Sequence, residues 1–169
     1  TGVILQEALL MKRDAAGSDI ESKMVQATLT NLRWLGQEQT LSARYTTEQA
    51  DATSVRIPVG YTIASEGYLG PNLATLPPEK RLNKILNEAD ILYRLVLKNF
   101  SAQQQSNQRL CLAVPAWFGE DQNYRLPLID HLDQIGYTFM DFAHINGRKL
   151  IYRRPGQTTA RQLLILRKL

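Results

Sequence analysis

Ser65-Glu66-Gly67-Tyr68 brings a hydroxyl, a carboxylate, a residue without a side chain and an aromatic ring into four consecutive positions. The run follows the apolar Tyr61-Thr62-Ile63-Ala64, read as a strand, and leads into Leu69-Gly70-Pro71. In a protein of alternating strands and helices, such a junction falls at the carboxyl edge of the sheet, where ligands bind. Gly67 lets the backbone approach a flat ligand, and Tyr68 can stack on it. The set suits a planar base or amine. The alternative is an ordinary Gly turn beside a packing Tyr.

Two acids strengthen the ligand reading. Asp19 ends the small-residue stretch Ala15-Ala16-Gly17-Ser18 and precedes a helical pattern. A carboxylate at that position of a doubly wound sheet can accept hydrogen bonds from both hydroxyls of a ribose. Asp51 follows the next strand pattern, where a side chain can accept from an adenine amine. Taken singly, each acid could cap a helix or sit in a solvated loop. At successive strand ends, with Ser65 to Tyr68 at the third, they suit a nucleoside ligand. Other chemistries find little support. His131 and His144 have no metal-ligand spacing, so no metal is expected. The chain carries neither a phosphate-binding Gly-Lys-Ser/Thr loop nor a nucleophile elbow.

Elements that position these residues follow from periodicity. Val3 to Met11 reads as a helix with Ile4, Ala8 and Met11 on one face and Leu5 and Leu9 beside it. Glu21 to Leu35 reads as a helix with Met24, Val25, Thr28, Leu29 and Leu32 inward and Gly36 as its C-cap. Leu41, Ala43 and Tyr45 alternate as a strand. Pro77-Pro78-Glu79 starts the clearest helix, with Leu82, Ile85, Leu86, Ala89, Leu92, Tyr93, Val96, Leu97 and Phe100 at three- and four-residue steps. Ser101 to Gln108 reads as a loop and Arg109 to Trp117 as a buried strand. Leu126, Ile129, Leu132 and Ile135 mark a further helix, ended by Gly136. A strand from Tyr137, turns at Asn146-Gly147 and Pro155-Gly156, and a strand around Leu163 to Leu166 close the chain. Trp34 and Trp117 read as packing residues, although Trp117 follows a strand end and could line a cleft. This order predicts an α/β fold: a mostly parallel sheet covered on both faces, with an antiparallel C-terminal hairpin. One domain over 1–169 fits the length of 169 residues.

Charge is unevenly spread. The net charge is +4, yet Arg148, Lys149, Arg153, Arg154, Arg161, Arg167 and Lys168 all lie after Asn146, with no acid among them. Such a stretch can attract nucleic acid, or it can keep a sheet edge from associating. The single cysteine, Cys111, lies in an apolar strand and is expected to be a packed thiol in a reducing, cytoplasmic compartment. No stretch has the length and apolarity of a membrane span, so no membrane partner is expected.

The combined pattern resembles the class I S-adenosylmethionine-dependent methyltransferases. More narrowly, it is similar to the RNA methylase group that holds the tRNA guanine amine methyltransferases and the "DNA modification methylase-like" proteins. Thr1-Gly2-Val3-Ile4-Leu5-Gln6-Glu7-Ala8 resembles the tail of that family's first motif. Gly17-Ser18-Asp19-Ile20, with Met24-Val25 and Asn31-Leu32, resembles the second, and Ala50-Asp51-Ala52-Thr53 the third. Ser65-Glu66-Gly67-Tyr68 stands where the family has Asp/Asn/Ser-Pro-Pro-Tyr/Phe.

The resemblance implies a Rossmann-like methyltransferase sheet with S-adenosylmethionine held by Thr1, Gly2, Asp19, Ile20, Asp51 and Ala52. Asp19 would take the ribose and Asp51 the adenine amine. Ser65 and the Glu66 carbonyl would accept from the target amine, which Gly67 lets approach, and Tyr68 would stack on the base. The implied partner is nucleic acid, most naturally tRNA, with Arg148, Lys149, Arg153 and Arg154 on its phosphates. Glu66-Gly67 in place of two prolines makes the loop less rigid and adds a charge. The family's first strand and most of its first motif are missing. The chain is therefore expected to be a C-terminal fragment, inactive by itself, with a homodimer as one way to cover the open sheet edge. A non-catalytic RNA-binding or subunit-pairing module of the same fold is the alternative, and a nicotinamide-dependent oxidoreductase a third reading.

Overall fold

Leu5, Ala8 and Leu9 turn α1 (Val3–Leu10) toward the core of the first of two compact units, Thr1–Gly60 and Tyr61–Leu169. The coordinates are a computed structural model that describes residues 1–119 and 122–169. In the first unit, α1 is followed by β1 (Ala15–Asp19), α2 (Ser22–Glu38) and β2 (Tyr45–Gln49). β1 and β2 pair in parallel, Ala15 opposite Tyr45 and Asp19 opposite Gln49. Leu9, Ala15 and Leu32 are the buried centre, with Leu41, Ala43 and Tyr45 packed on it.

Several expectations for this unit need correction. The face shared by Ile4, Ala8 and Met11 is not the buried one: Ile4 and Met11 are 43% and 65% exposed. The Leu5 side wins because Gly17 of β1 lies under it: a Cβ there would stand 2.6 Å from Leu5 Cδ1. Gly36 does not cap α2, which runs on to Glu38. Buried Leu35 anchors that last turn, and its carbonyl accepts from Gln39 N at 2.9 Å. Trp34 is 57% exposed, since Leu32 and Leu35 take the inner face and a residue two away from Leu32 cannot share it. β2 begins only at Tyr45, where Leu41 and Ala43 have already packed on the core.

The second unit contains β3 (Ile63–Glu66), α3 (Glu79–Gln103), β4 (Arg109–Phe118), β5 (Asn123–Arg125), β6 (Tyr137–Phe139), β7 (Ile151–Tyr152) and β8 (Thr159–Lys168). Its sheet runs β3-β4-β8-β6, with β5 on β4 and β7 on β8. β3 is parallel to β4, while β5 and β8 are antiparallel to β4 and β6 and β7 antiparallel to β8. The sheet is therefore mixed. β4 is its centre and is buried from Leu112 to Trp117, as an apolar run with neighbours on both edges should be.

Here too the boundaries move. The strand expected over 61–64 is displaced to Ile63–Glu66, because β3 takes its register from β4, Ile63 opposite Leu110 and Glu66 opposite Ala113. α3 extends to Gln103, past the loop expected from Ser101. Leu126, Ile129, Leu132 and Ile135 do not mark an α-helix. Pro127–His131 and Asp133–Ile135 are 3₁₀ turns. The strict spacing of three is the period of a 3₁₀-helix, and it buries all four side chains. Gly136, at φ +87°, ends the second turn. β8 begins at Thr159, four residues before the expected strand, because its pairing with β4 starts there, Thr159 opposite Trp117, although the buried amide of Gln162 interrupts its apolar alternation. Among the described residues no helix is long and apolar enough to cross a membrane.

Candidate functional site

The first unit holds both acids. Asp19 is the last residue of β1, and its carbonyl accepts from Ala50 N at 3.1 Å, so the two strand ends stay locked together one residue before Asp51. The acids thus leave the carboxyl ends of adjacent parallel strands. Asp19 Oδ1 accepts from Glu21 N at 2.9 Å, while Asp51 Oδ1 accepts from the backbone and hydroxyl of Thr53, both at 2.8 Å. One oxygen of each carboxylate is thereby fixed, and among the described residues the other has no partner. The Thr53 backbone N–H, and then its hydroxyl, hold the Asp51 carboxyl below the ordinary carboxylate value. Ile20 is 63% exposed beside Asp19, and Ala52 is exposed beside Asp51.

Thr1 and Gly2 are tied to α2. The Thr1 carbonyl accepts from Asn31 Nδ2 at 2.9 Å and Gln6 Nε2 at 3.3 Å. Gly2 has φ +78° at the start of α1, and a Cβ on it would lie 2.5 Å from Thr28 Cγ2. Packing alone therefore demands glycine at this position.

The second unit holds the loop. Ser65 and Glu66 are the last residues of β3, not loop residues, so the junction falls between Glu66 and Gly67. Gly67 lies against Tyr93 of α3: a Cβ would stand 2.4 Å from the Tyr93 hydroxyl. That hydroxyl donates to the Tyr68 carbonyl at 2.8 Å and lies 3.3 Å from the Ala113 carbonyl. Burial, and then the charge of Glu66, push the Tyr93 phenol well above its ordinary value, so it remains a donor. The Tyr68 ring is 56% exposed and free to meet a ligand. Glu66 pairs with Arg161 of β8, Nε donating to Oε1.

Beyond the loop, Leu69 to Ala74 faces the segment Gly156 to Thr159 and Arg161 across an open cleft of about 420 Å³. Thr158 Oγ1 bridges its walls, donating to the Ala74 carbonyl at 2.9 Å. Trp117 is fully buried behind Gly70. Its Nε1, and Oγ1 of Thr159 directly across the ladder, are buried without hydrogen-bond partners among the described residues.

The four basic residues fall into two kinds. Arg148 is part of the fold: Nη1 donates to Asp130 at 3.0 Å, and the guanidinium lies 4.9 Å over the Phe139 ring. Arg153 lies 4.7 Å over the Phe118 ring, Arg154 Nε donates to the Tyr152 hydroxyl at 3.3 Å, and Lys149 is exposed. The last three present charge to solvent. Cys111 is half-buried on β4, and burial pushes its thiol up, away from a nucleophile's range. Among the described residues no three His, Cys, Asp or Glu side chains gather as a metal site.

Tyr93 and Arg161 are the residues that sequence reasoning missed. Tyr93 passed as one more apolar position of α3, and Arg161 as one more tail cation. The available signal was chemical: a tyrosine on a buried helical face needs a partner for its hydroxyl.

No protein-family model matches the chain, and no curated protein matches it. Solved structures do. TrmN from Thermus thermophilus superposes with a TM-score of 0.54 at 16% identity, over 98% of this chain and 40% of that one. A SAM-dependent methyltransferase from Methanosarcina mazei gives 0.51 at 14% identity, over 99% of this chain and 88% of that one. LepI, solved in complex with SAM, gives 0.51 at 9% identity, over 99% of this chain and 39% of that one. The chain thus spans well under half the length of TrmN and LepI. At these identities the likeness speaks for architecture. The chain has the α/β fold, with a mixed sheet, of the Rossmann-like methyltransferases.

Proposed function

We propose that residues 1–169 form part of a single S-adenosylmethionine-dependent methyltransferase domain acting on nucleic acid, on an exocyclic amine of a tRNA base. The observation that carries the reading is the pair of carboxylates at adjacent parallel strand ends, each fixed through one oxygen and open at the other. That donor set fits a nucleoside: Asp19 toward ribose hydroxyls and Asp51 toward an adenine amine. Thr1, Gly2, Ile20 and Ala52 complete the wall. The likeness in fold to a SAM-dependent methyltransferase, and to LepI solved in complex with SAM, supports this choice of cofactor.

When bound, the cofactor supplies an electrophilic methyl group on sulfur. The chain's own residues hold the acceptor. Ser65 and the Glu66 carbonyl accept from its amine, and Tyr68 stacks on its ring. Methyl transfer then depends mainly on proximity and line of approach. The solvent-facing Lys149, Arg153 and Arg154 support a nucleic-acid acceptor. Among the described residues β1 pairs only with β2 and β3 only with β4. Each therefore has one edge unpaired among the described residues.

Calorimetry on the full-length protein tests the assignment. S-adenosylmethionine should bind, and Asp19→Ala should weaken binding by about 1–3 kcal/mol, the usual cost of an unpaired hydrogen-bonding group. Unchanged affinity in both Asp19→Ala and Asp51→Ala would sink it. Cofactor binding without methyl transfer to tRNA would instead favour the non-catalytic module.

A further inference from the structure

Glu66 and Arg161 meet across the central strand. Glu66 lies opposite Ala113 of β4, and Arg161 lies opposite Pro115, two residues further along. Residues directly opposed in a sheet share a face, as do residues two apart. Both side chains therefore rise on the same face and reach each other diagonally over β4. β3 leaves β4 at Ala113, and Pro115, which has no N–H, lies just beyond. The ion pair thus stands where the backbone ladder has ceased to hold the departing chain.

Residues 66–68 are tied at both ends. Arg161 holds the Glu66 carboxylate, and the Tyr93 hydroxyl holds the Tyr68 carbonyl. Gly67 between them has the widest conformational freedom of any residue type. Stability gives little reason for the pair. Its side chains are 33% and 54% exposed, and such ion pairs contribute about 0–1 kcal/mol. Geometry gives a stronger one, because a fixed Glu66 sets the direction in which the segment leaves the sheet.

We propose that Arg161 is a positioning residue that acts through Glu66, orienting the Ser65–Tyr68 segment toward the acceptor. The pair and the Tyr93 contact supply the rigidity that Glu66-Gly67 would otherwise lack, and the pair neutralises the added charge. This inference rests on the reading of that segment as the acceptor side of a methyl-transfer site.

The test uses the full-length protein with S-adenosylmethionine and unfractionated tRNA. It compares Arg161→Gln, Arg161→Lys and the charge exchange Glu66→Arg/Arg161→Glu. Arg161→Gln should lower kcat by about tenfold or more, as misplacement of reacting groups does, while KM for tRNA changes less than about twofold. Arg161→Lys keeps the charge without the planar fork and should restore part of kcat, and the exchange should restore most of it. Hydrogen exchange supplies an arm that needs no activity: the amides of 67–70 should exchange faster in Arg161→Gln and return toward wild type in the exchanged pair. A loss confined to KM and to salt dependence would overturn the proposal, making Arg161 a phosphate contact. Unchanged exchange at 67–70 would overturn it as well. A wild-type protein that transfers no methyl group to tRNA would count against the functional reading, and the exchange arm would still decide the role of the pair.

Discussion

The Tyr93 hydroxyl donates to the Tyr68 carbonyl at 2.8 Å and fills the space where Gly67 lacks a side chain. One phenol therefore fixes a backbone group and excludes any larger residue beside it. Gly67→Ala should destabilise the protein by about 1–3 kcal/mol through overpacking. Tyr93→Phe should cost about 1 kcal/mol for the lost hydrogen bond. Combined, they should cost less than their sum by at least about 0.5 kcal/mol, because the clashing oxygen is gone. Urea unfolding of the three variants measures this, and strict additivity would contradict the contact.

Asp90 ties α3 to the first 3₁₀ turn. Its Oδ1 accepts from Leu128 N at 2.6 Å and its Oδ2 from Arg94 Nε at 2.6 Å, with the side chain 12% exposed. Asp90→Ala leaves a buried N–H and a half-buried guanidinium without their acceptor, and should cost about 3 kcal/mol. Asp90→Asn keeps an acceptor for Leu128 and should cost less. Thermal unfolding of the pair checks the order, and equal losses would argue against it.

Acid should weaken the first unit through two carboxylates. The Arg44 backbone N–H, its side chain and its charge hold Asp14 below the ordinary 3.8, and Thr53 does the same for Asp51. A carboxyl lowered on folding stabilises the fold above its unfolded value, and this is lost as pH falls through its folded value. The denaturation midpoint should therefore drop below about pH 3.8, and Asp14→Asn/Asp51→Asn should flatten that drop. An identical pH profile would show that neither contact matters in solution.

If the tail contacts phosphates, tRNA affinity should fall steeply with salt. Arg153→Ala/Arg154→Ala should reduce the slope of log K against log salt by about 2, roughly one per lost contact. Arg148→Ala should move the slope much less, because Arg148 is engaged with Asp130 and Phe139. Filter binding across a salt series separates the two. Equal slopes for wild type and the double variant would leave the hairpin as a solvated edge.

The sequence by itself determined the alternation of elements, because burial of one helical face or of a whole central strand imposes a period on residue types. It marked α3 through its apolar repeat, β4 through its apolar run, and the two acids through their place after strand patterns. It could not place boundaries that pairing decides. β3 starts at Ile63 because β4 offers it that register, and β8 starts at Thr159 although Gln162 breaks its pattern. Helix type was lost where a spacing of three was read as a loose α-period. Above all, the contacts around the loop join residues far apart in the chain: Tyr93 to Tyr68 over 25 positions and Arg161 to Glu66 over 95. Local patterning carries no trace of such pairs. Only the packing of α3 and the path of β8 brought a phenol and a guanidinium to a loop that, as sequence, is loose and charged.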